Sequence, residues 1–374
     1  MTDKRYNILI VAGGLPQYLT VAKHINKLIG LFTRLSQNVY LLSSYDKDLI
    51  NLKKSEIYTI QTFQNRSEQF VKNQFLELKA MYKIFKNQKI DVVFFAFGHD
   101  LDLVPILFSK IMGKKIILRS DGRPSSIIEK YYKNQSVLKK YFFRIIEYIN
   151  YHIVDLVVSE CTYMLKENNQ DRLHNCGVAN LPVDMNFFKR EKSLEKREYD
   201  LGYFGTIDKR RGIINFVYTI PQLIKNKNNI SVLIGGKGDQ KEVITQIIIK
   251  NNLERNIRFV DWIPDEMFPD YLNSVKVIIL PSSVEGLPNI ILEAMACGAI
   301  VLSTPVGGVP SVIVDGETGF IMENNSIPCI AHHILRVLNH PNLERVANNA
   351  YNLIKKEYSI DITLQRYSEI IESV

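Results

Sequence analysis

Two glutamates eight residues apart, Glu285 and Glu293, form the clearest chemical pattern in this sequence. The first follows an apolar run and a Pro-Ser-Ser turn, and the second lies in a mostly apolar segment that ends at Gly298. A carboxylate on an apolar background is costly to bury unless it is hydrogen-bonded, so Glu293 should meet a fixed donor such as a ligand diol. The alternative is a glutamate that caps its own helix or faces solvent.

The residues between these glutamates predict the start of a helix. Pro288 stands where a helix tolerates a missing N–H, and Gly298 supplies a left-handed end. The first N–H groups of a helix have no partner within it, so such a terminus can bind phosphate and hydroxyl oxygens. The candidate ligand-binding positions at this terminus are Gly286, Leu287, Asn289, Ile290 and Ile291.

Strands must hold these loops at one edge of a sheet. Residues 275–280 form an apolar run with one Lys, which predicts a buried strand, and residues 299–303 predict the next strand. Gly307 and Gly308 then bring backbone close to whatever the first loop holds. Strand, glycine-containing loop, helix and strand in succession predict half of a nucleotide-binding α/β domain.

A similar pattern opens the chain. Residues 6–12 are apolar and lead into Gly13 and Gly14, at the strand end where open α/β sheets bind ligands. The third glycine of the dinucleotide fingerprint is missing, and no acid ends the second strand, which disfavours a nicotinamide enzyme. Strands and helices continue to alternate through the first half, so we expect two α/β domains.

Composition bounds the class of protein. The 374 residues are 46% hydrophobic and 23% charged, which is ordinary for a globular protein with large cores. The four cysteines show no metal-ligand spacing, which predicts incidental thiols in a reducing compartment. The sequence shows no signal-peptide pattern and no apolar run long enough for a transmembrane helix, so we expect a cytoplasmic location.

Charge is distributed unevenly along the chain. Residues 1–198 hold 31 Lys and Arg against 20 Asp and Glu, whereas the remainder is slightly acidic. Residues 127–153 mix Lys and Arg with Tyr and Phe, which predicts two helices and suits contact with an anionic membrane surface or a partner. The alternatives are an amphipathic helix whose aromatic side chains belong to the core, and a lysine content raised by codon usage. No nucleic-acid-binding module surrounds the segment, so no nucleic-acid partner is expected.

Residues 277–324 closely resemble the signature of retaining glycosyltransferase family 4. The signature reads PS-x-x-E-G-[FL]-P-x-x-x-L-E-A-M-A-x-G and later G-G-x-P-E-x-[IV]-x-D-G-x-x-G, and Ser311 departs from it where the family usually has Glu. The resemblance implies the α/β class and the GT-B fold, with two Rossmann-like, doubly wound domains that face each other across a cleft. It implies an acceptor-binding domain at residues 1–188 and a linker at residues 189–198. It also implies a nucleotide-sugar-binding domain at residues 199–355 and, at residues 356–374, a helix that crosses back to the first domain.

The resemblance also implies roles for individual residues. Glu293 would bind the ribose hydroxyls, and Glu285 would bind the sugar and stabilise its oxocarbenium-like charge. Gly13 and Gly14 match the family's first glycine loop beside the donor phosphates. Ile263 lies in the loop where relatives bind the nucleobase through backbone groups.

Two loops depart from the family pattern. The loop at residues 205–212 resembles the family's G-R-L-x-x-x-K-G clamp on the donor diphosphate, but Thr206 replaces the Arg and Arg211 replaces the Lys. Ser120 occupies the position of a sugar-contacting His, and Asp121 beside it becomes the candidate catalytic residue of that loop. His99 on a neighbouring loop could substitute for the missing His, but we favour a surface histidine there.

The resemblance therefore implies a retaining, metal-independent glycosyltransferase. It would move a sugar from a nucleotide sugar to a glycan or lipid-linked acceptor in cell-surface polysaccharide or glycoconjugate synthesis, at the inner face of the membrane. We expect no cofactor and no metal ion, because cations and a helix N-terminus can hold the diphosphate. The alternatives are a nucleotide-sugar 2-epimerase of the same architecture and a catalytically weakened sugar-nucleotide-binding partner protein.

Overall fold

The chain divides into two compact units, which are Met1–Leu181 with Thr363–Val374 and Pro182–Ile362. The structure is a computed structural model. It describes residues 6–12, 19–44, 50, 56–59, 66–96, 98–120, 137–226 and 229–374. No helix within these ranges is both long enough and apolar enough to span a bilayer.

The first unit is built on a parallel sheet of seven strands. The strands are β1 (Tyr6–Ala12), β2 (Ser36–Ser43), β3 (Glu56–Thr59), β4 (Val92–Phe95), β5 (Lys115–Arg119), β6 (Leu156–Ser159) and β7 (Cys176–Val178). Their spatial order is β3-β2-β1-β4-β5-β6-β7, so the direction of winding reverses between β1 and β4. Such a reversal is where open α/β sheets form their ligand-binding crevice.

Helices cover both faces of this sheet. They are α1 (Leu19–Leu35), α2 (Arg66–Asn87), α3 (Leu103–Ile111), α4 (Val137–Ile153) and α5 (Thr162–Glu167). Met81 of α2, Ile106 of α3 and Tyr151 of α4 share one core layer with the strands, whereas Phe32 of α1 lies in the other layer. The helices α2, α3 and α4 therefore form a single layer on one side of the sheet.

The second unit repeats this architecture with six parallel strands. Its strands are β8 (Tyr199–Phe204), β9 (Val232–Gly235), β10 (Ile257–Val260), β11 (Val275–Leu280), β12 (Ile300–Ser303) and β13 (Phe320–Ile321). Its helices are α6 (Ile213–Asn226), α7 (Lys241–Lys250), α8 (Phe268–Ser274), α9 (Asn289–Ala296), α10 (Ile327–Leu338) and α11 (Leu343–Glu357). The order β10-β9-β8-β11-β12-β13 is the doubly wound order, and the winding reverses between β8 and β11.

The last helix, α12 (Ile360–Glu372), supplies side chains to the core of the first unit. The Tyr367 ring meets the Phe32 ring edge to face, with 5.4 Å between their centroids. Ile370 and Ile371 are buried in the same layer. A helix at this end of the chain is what the resemblance implies for residues 356–374.

The basic aromatic segment differs in part from its prediction. Its described part is the single helix α4, while residues 121–136 lie outside the described ranges. The alternative in which its aromatic side chains belong to the core is wrong for Tyr141, Phe142 and Tyr148, which are 58%, 56% and 65% exposed. Only Tyr151 of this helix is a fully buried aromatic residue.

A buried ion pair holds the carboxyl ends of β5 and β6 together. Arg119 is fully buried, and its guanidinium pairs with the carboxylate of Glu160. The same guanidinium donates to the carbonyl of Ala179 at 3.2 Å and lies 3.4 Å from the hydroxyl of Tyr367. The pair thus links two strands, the segment after β7 and α12 within one polar cluster.

Removing one charge of this pair should destabilise the first unit strongly. We expect Glu160→Gln to lower the free energy of unfolding by about 3–5 kcal/mol, because the buried guanidinium of Arg119 would lose the charge of its carboxylate partner. The exposed pair between Arg345 and Glu317 is a matched control, and Glu317→Gln should cost at most about 1 kcal/mol. Urea unfolding measures both variants, and equal losses would contradict the argument.

Candidate functional site

The loops after β8 and β11 lie side by side where the winding of the second sheet reverses. They place the guanidinium of Arg211 against the carboxylate of Glu285 as an ion pair. The Arg211 side chain is 35% exposed, whereas the Glu285 side chain is only 8% exposed. A cation and an acid therefore meet at the strand ends where open α/β sheets bind ligands.

The local sequence of the first loop positions Arg211. The carboxylate of Asp208 accepts from the N–H of Arg210 at 2.8 Å and from the N–H of Arg211 at 3.2 Å, which begins a short 3-10 turn. Gly212 ends the turn with φ of 69°. Thr206 is exposed, and its carbonyl accepts from the hydroxyl of Tyr203 at 2.8 Å. Threonine carries no charge. The cations of this loop are Lys209, Arg210 and Arg211, which form the 3-10 turn.

Backbone contacts join this loop to the loop after β11. Both the N–H and the hydroxyl of Ser283 donate to the carbonyl of Arg210 at 2.9 Å. A Cβ atom on Gly212 would lie 2.0 Å from the carbonyl oxygen of Pro281. Only glycine fits this close approach, and the two loops are thereby held in one geometry.

The close approach gives a stability prediction. We expect Gly212→Ala to lower the free energy of unfolding by about 2–5 kcal/mol, from a left-handed φ and a clash with backbone. Gly316 also has a left-handed φ, of 73°, but an added Cβ there meets nothing within 4 Å. Gly316→Ala should therefore cost only about 1–2 kcal/mol. Urea unfolding compares the two, and a similar loss in both would show that the contact with Pro281 is unimportant.

The loop after β12 braces the other side of Glu285. A Cβ atom on Gly307 would lie 2.2 Å from the carbonyl oxygen of Glu285 and 2.4 Å from that of Gly286. The N–H of Gly308 donates to the carbonyl of Gly286 at 2.8 Å. Gly307 therefore lies against the backbone of the loop after β11 with no room for a side chain, and the predicted approach of this glycine pair to a ligand in that loop stays a prediction.

The helix start that follows corrects one prediction. Pro288 is the N-cap of α9, and the N–H of Ile291 donates to its carbonyl at 3.0 Å. The Ile291 amide is therefore not available to a ligand, because the first helical turn already uses it. Gly286, Leu287, Asn289 and Ile290 lie before or within this turn, and their ligand-binding role stays a prediction.

Glu293 lies one turn into α9 and is half-buried. Leu292 and Ala294 beside it are buried, so its backbone position has the predicted apolar background. Cys297 is four residues further along, and burial raises the pKa of its thiol to about 12. The helix thus fixes the backbone position from which this carboxylate extends.

The glycine-rich loop after β9 packs on the loop after β8. A Cβ atom on Gly236 would lie 1.9 Å from the carbonyl oxygen of Gly205, and the N–H of Ile207 donates to the carbonyl of Lys237 at 2.8 Å. The side chain of Ile263 packs against the core near Gly235. A contact between Ile263 and a nucleobase would therefore use its backbone, as the resemblance implies.

The predicted site residues of the first unit lie partly outside the described ranges. Gly13, Gly14 and Asp121 lie outside the described residues. Ser120 is buried, where its hydroxyl lies 3.1 Å from the hydroxyl of Tyr151 and accepts from the amide of Gln170 at 2.7 Å. Ser120 is therefore part of an internal hydrogen-bond network.

The prediction of a surface position for His99 is wrong. His99 is 1% exposed, and its Nδ1 lies 2.5 Å from a carboxylate oxygen of Asp102. Burial lowers the pKa of this histidine, but the hydrogen bond and charge of Asp102 outweigh burial and raise it overall. Burial, together with the charge of Asp102, raises the pKa of the neighbouring Glu77 to about 8. Sequence reasoning missed this cluster, because Glu77 is a helix residue far away in the chain.

Two groups of side chains in the described part of the chain bring ligand-type atoms within 4.8 Å of one another. One group is Glu77, His99 and Asp102 in the first unit, and the other is Glu323, Cys329 and His333 in the second. The second group is internally bonded, with 2.7 Å between His333 Nε2 and a carboxylate oxygen of Glu323. The expectation that no metal ion is needed stays a prediction.

A sequence-family model matches most of the second unit. Residues 184–353 match the model of the family described as "Glycosyl transferases group 1". The O-antigen chain mannosyltransferase B of Escherichia coli is 29% identical over 148 residues, 39% of this chain and 38% of that protein. The capsular polysaccharide biosynthesis glycosyltransferase CapM of Staphylococcus aureus is 26% identical over 166 residues, 43% of each chain. The matched segment spans 38% to 47% of the length of the first four curated relatives.

Solved structures match the whole chain. The Anabaena HepE protein, in complex with UDP, has a TM-score of 0.77 at 16% identity, covering 99% of this chain and 100% of that one. Sucrose-phosphate synthase from Thermosynechococcus elongatus has a TM-score of 0.78 at 14% identity, covering 98% of both chains. At these identities the likeness shows the fold. The predicted α/β class and GT-B fold are confirmed.

Proposed function

We propose, from the match of residues 184–353 to the family model "Glycosyl transferases group 1", that the protein is a retaining glycosyltransferase. It moves a sugar from a nucleotide sugar to a glycan or lipid-linked acceptor. The observation that carries the proposal is the contact between Arg211 and Glu285 where the second sheet reverses. A nucleotide sugar needs a cation beside its diphosphate and an acid beside its sugar. Arg211 supplies the cation and Glu285 supplies the acid.

The donor diphosphate binds to Arg211 and to the first N–H groups of α9. A guanidinium has five N–H donors, so Arg211 can keep Glu285 as a partner while it binds phosphate oxygens. Lys209 and Arg210 are exposed on the same turn and add positive charge where the loop has Thr206 instead of Arg. Fixed cations and helix N–H groups stabilise the charge that develops on the leaving diphosphate.

The reaction proceeds with retention at the anomeric carbon. The bond between this carbon and the diphosphate oxygen breaks, and the acceptor oxygen forms its bond on the same face of the sugar. The acceptor proton passes to the departing phosphate oxygen. The carboxylate of Glu285 stabilises the positive charge that develops on the ring, and Glu293 holds the ribose hydroxyls. The cations of the loop and the helix N–H groups take the place of a metal ion in this scheme.

The acceptor belongs to cell-surface polysaccharide or glycoconjugate synthesis in this proposal. Two relatives are named for an O-antigen chain and for a capsular polysaccharide, and both names support such an acceptor. The protein would work in the cytoplasm at the inner face of the membrane, where lipid-linked intermediates present their sugars.

A donor screen tests the proposal. The native protein is incubated with UDP-, GDP-, ADP- and dTDP-sugars, with and without candidate lipid-linked acceptors, and released nucleoside diphosphate is measured. Release that depends on an acceptor supports glycosyl transfer. Conversion of a nucleotide sugar without acceptor favours a 2-epimerase, and binding without either reaction favours a sugar-nucleotide-binding partner. The exposed Thr206 and the internal bonding of Ser120 are the observations that favour the last of these.

A further inference from the structure

The helix α4 exposes an apolar stripe in addition to its buried side. Ile146, Glu147, Asn150 and Tyr151 on its inner side are all buried. The stripe that faces out has the i, i+3, i+4, i+7 spacing of one helix face. Its members are Leu138, Tyr141, Phe142, Ile145 and Tyr148, which are 56% to 82% exposed. A surface helix normally has the opposite arrangement, with polar residues outside.

The neighbouring helices continue this apolar surface. Val71, Phe75 and Tyr82 of α2 are 56% to 62% exposed, and Ile111 at the end of α3 is 81% exposed. Because α2, α3 and α4 form one layer over the same face of the sheet, their outward stripes lie on the same side of the first unit. Exposed apolar residues that cluster in this way mark an interaction site.

The charges on this side have a single sign. Among the described side chains of α2, α3 and α4, the exposed charged residues are all Lys or Arg, and none is Asp or Glu. The acids Glu77 and Glu147 are turned inward and are only 2% and 3% exposed. The exposed cations are Lys72, Lys79, Lys83, Lys86, Lys110 and Arg144, of which Lys110 forms an ion pair with Asp155 at 2.9 Å.

We propose that the outer surface of α2, α3 and α4, hereafter the outer helical face, binds an anionic lipid bilayer. Aromatic and aliphatic side chains enter the interface, lysine stems extend along it, and the cations meet anionic headgroups. A second copy of the chain fits less well, because pairing two such faces would bring like charges together. Exposure and charge define this face whether or not the protein is a glycosyltransferase. Its purpose, access to a lipid-linked acceptor, rests on the proposed function.

Vesicle flotation with the full chain tests the proposal. The native protein should float with vesicles of phosphatidylcholine mixed with phosphatidylglycerol, and much less with phosphatidylcholine alone or at high salt. A first variant combines Ile111→Ser, Phe142→Ser and Ile145→Ser, and a second combines Lys79→Glu, Lys83→Glu and Arg144→Glu. Each should lower partitioning onto anionic vesicles at least about tenfold.

Matched changes on the second unit are the control. Val243, Ile249 and Val314 are 39%, 58% and 57% exposed there, and their triple change to Ser should leave vesicle binding unchanged. Outer-face variants that bind as tightly as this control would overturn the proposal. So would a native protein that ignores lipid charge, or one that self-associates through this face in sedimentation experiments. Vesicle binding is measured without a nucleotide sugar, and Glu293→Gln should float like the native protein. Failure of the proposed glycosyl transfer can therefore be distinguished from failure of membrane binding.

Discussion

Changing Glu285 to glutamine should lower kcat by about a hundredfold or more, while donor affinity changes little. Glutamine keeps the shape of the side chain but removes the charge that stabilises the developing oxocarbenium ion. Arg211 then loses its ion-pair partner, which leaves its full charge for the diphosphate. The affinity for nucleoside diphosphate should therefore stay the same or rise. Turnover is measured by released nucleoside diphosphate and affinity by calorimetry.

The control for this prediction is Glu242→Gln on α7, where the side chain is exposed. It should behave like the native protein in both measurements. Because Glu285 is tied to the neighbouring loop, urea unfolding must also show that Glu285→Gln is folded. A folded Glu285→Gln protein with nearly native turnover would remove the electrostatic role of this carboxylate. A parallel loss of affinity and turnover would instead assign Glu285 to donor binding.

Changing Glu293 to glutamine should have the opposite pattern. We expect the affinity for the nucleotide to fall by about 10- to 100-fold, because hydrogen bonds between the ribose hydroxyls and a charged acceptor are lost. Helix α9 fixes the backbone from which this carboxylate extends. Calorimetry with the nucleoside diphosphate alone isolates this effect from catalysis.

The comparison that decides the Glu293 prediction is between nucleoside diphosphate and inorganic pyrophosphate. The variant should bind pyrophosphate as the native protein does, since the groups proposed to hold phosphate are unchanged. Unchanged affinity for the nucleotide would contradict the ribose assignment. A loss shared by both ligands would point to a shift of α9 rather than to a lost hydroxyl contact.

Local sequence determined the parts of the candidate site that lie close together in the chain. Strand β11, the turn after it and helix α9 are contiguous, so the apolar run, Pro288 and Gly298 predict them without knowledge of the fold. The alternation of strands and helices likewise predicts two α/β units, since each element carries its own periodicity. The amide of Ile291 could not be predicted, because one hydrogen bond within the first turn decides whether it is available.

Tertiary structure decided which distant residues meet and which side of a helix faces out. Arg211 and Glu285 come together because β8 and β11 are neighbours in the sheet, and no local pattern contains that pairing. His99 is buried beside Asp102 and Glu77, which tertiary structure brings together. In α4 the polar side chains of Glu147 and Asn150 are turned inward, where Asn150 donates to the carbonyl of Asp100 at 2.8 Å. Burial of a polar side chain depends on a partner from elsewhere in the fold, and a single sequence does not specify that partner.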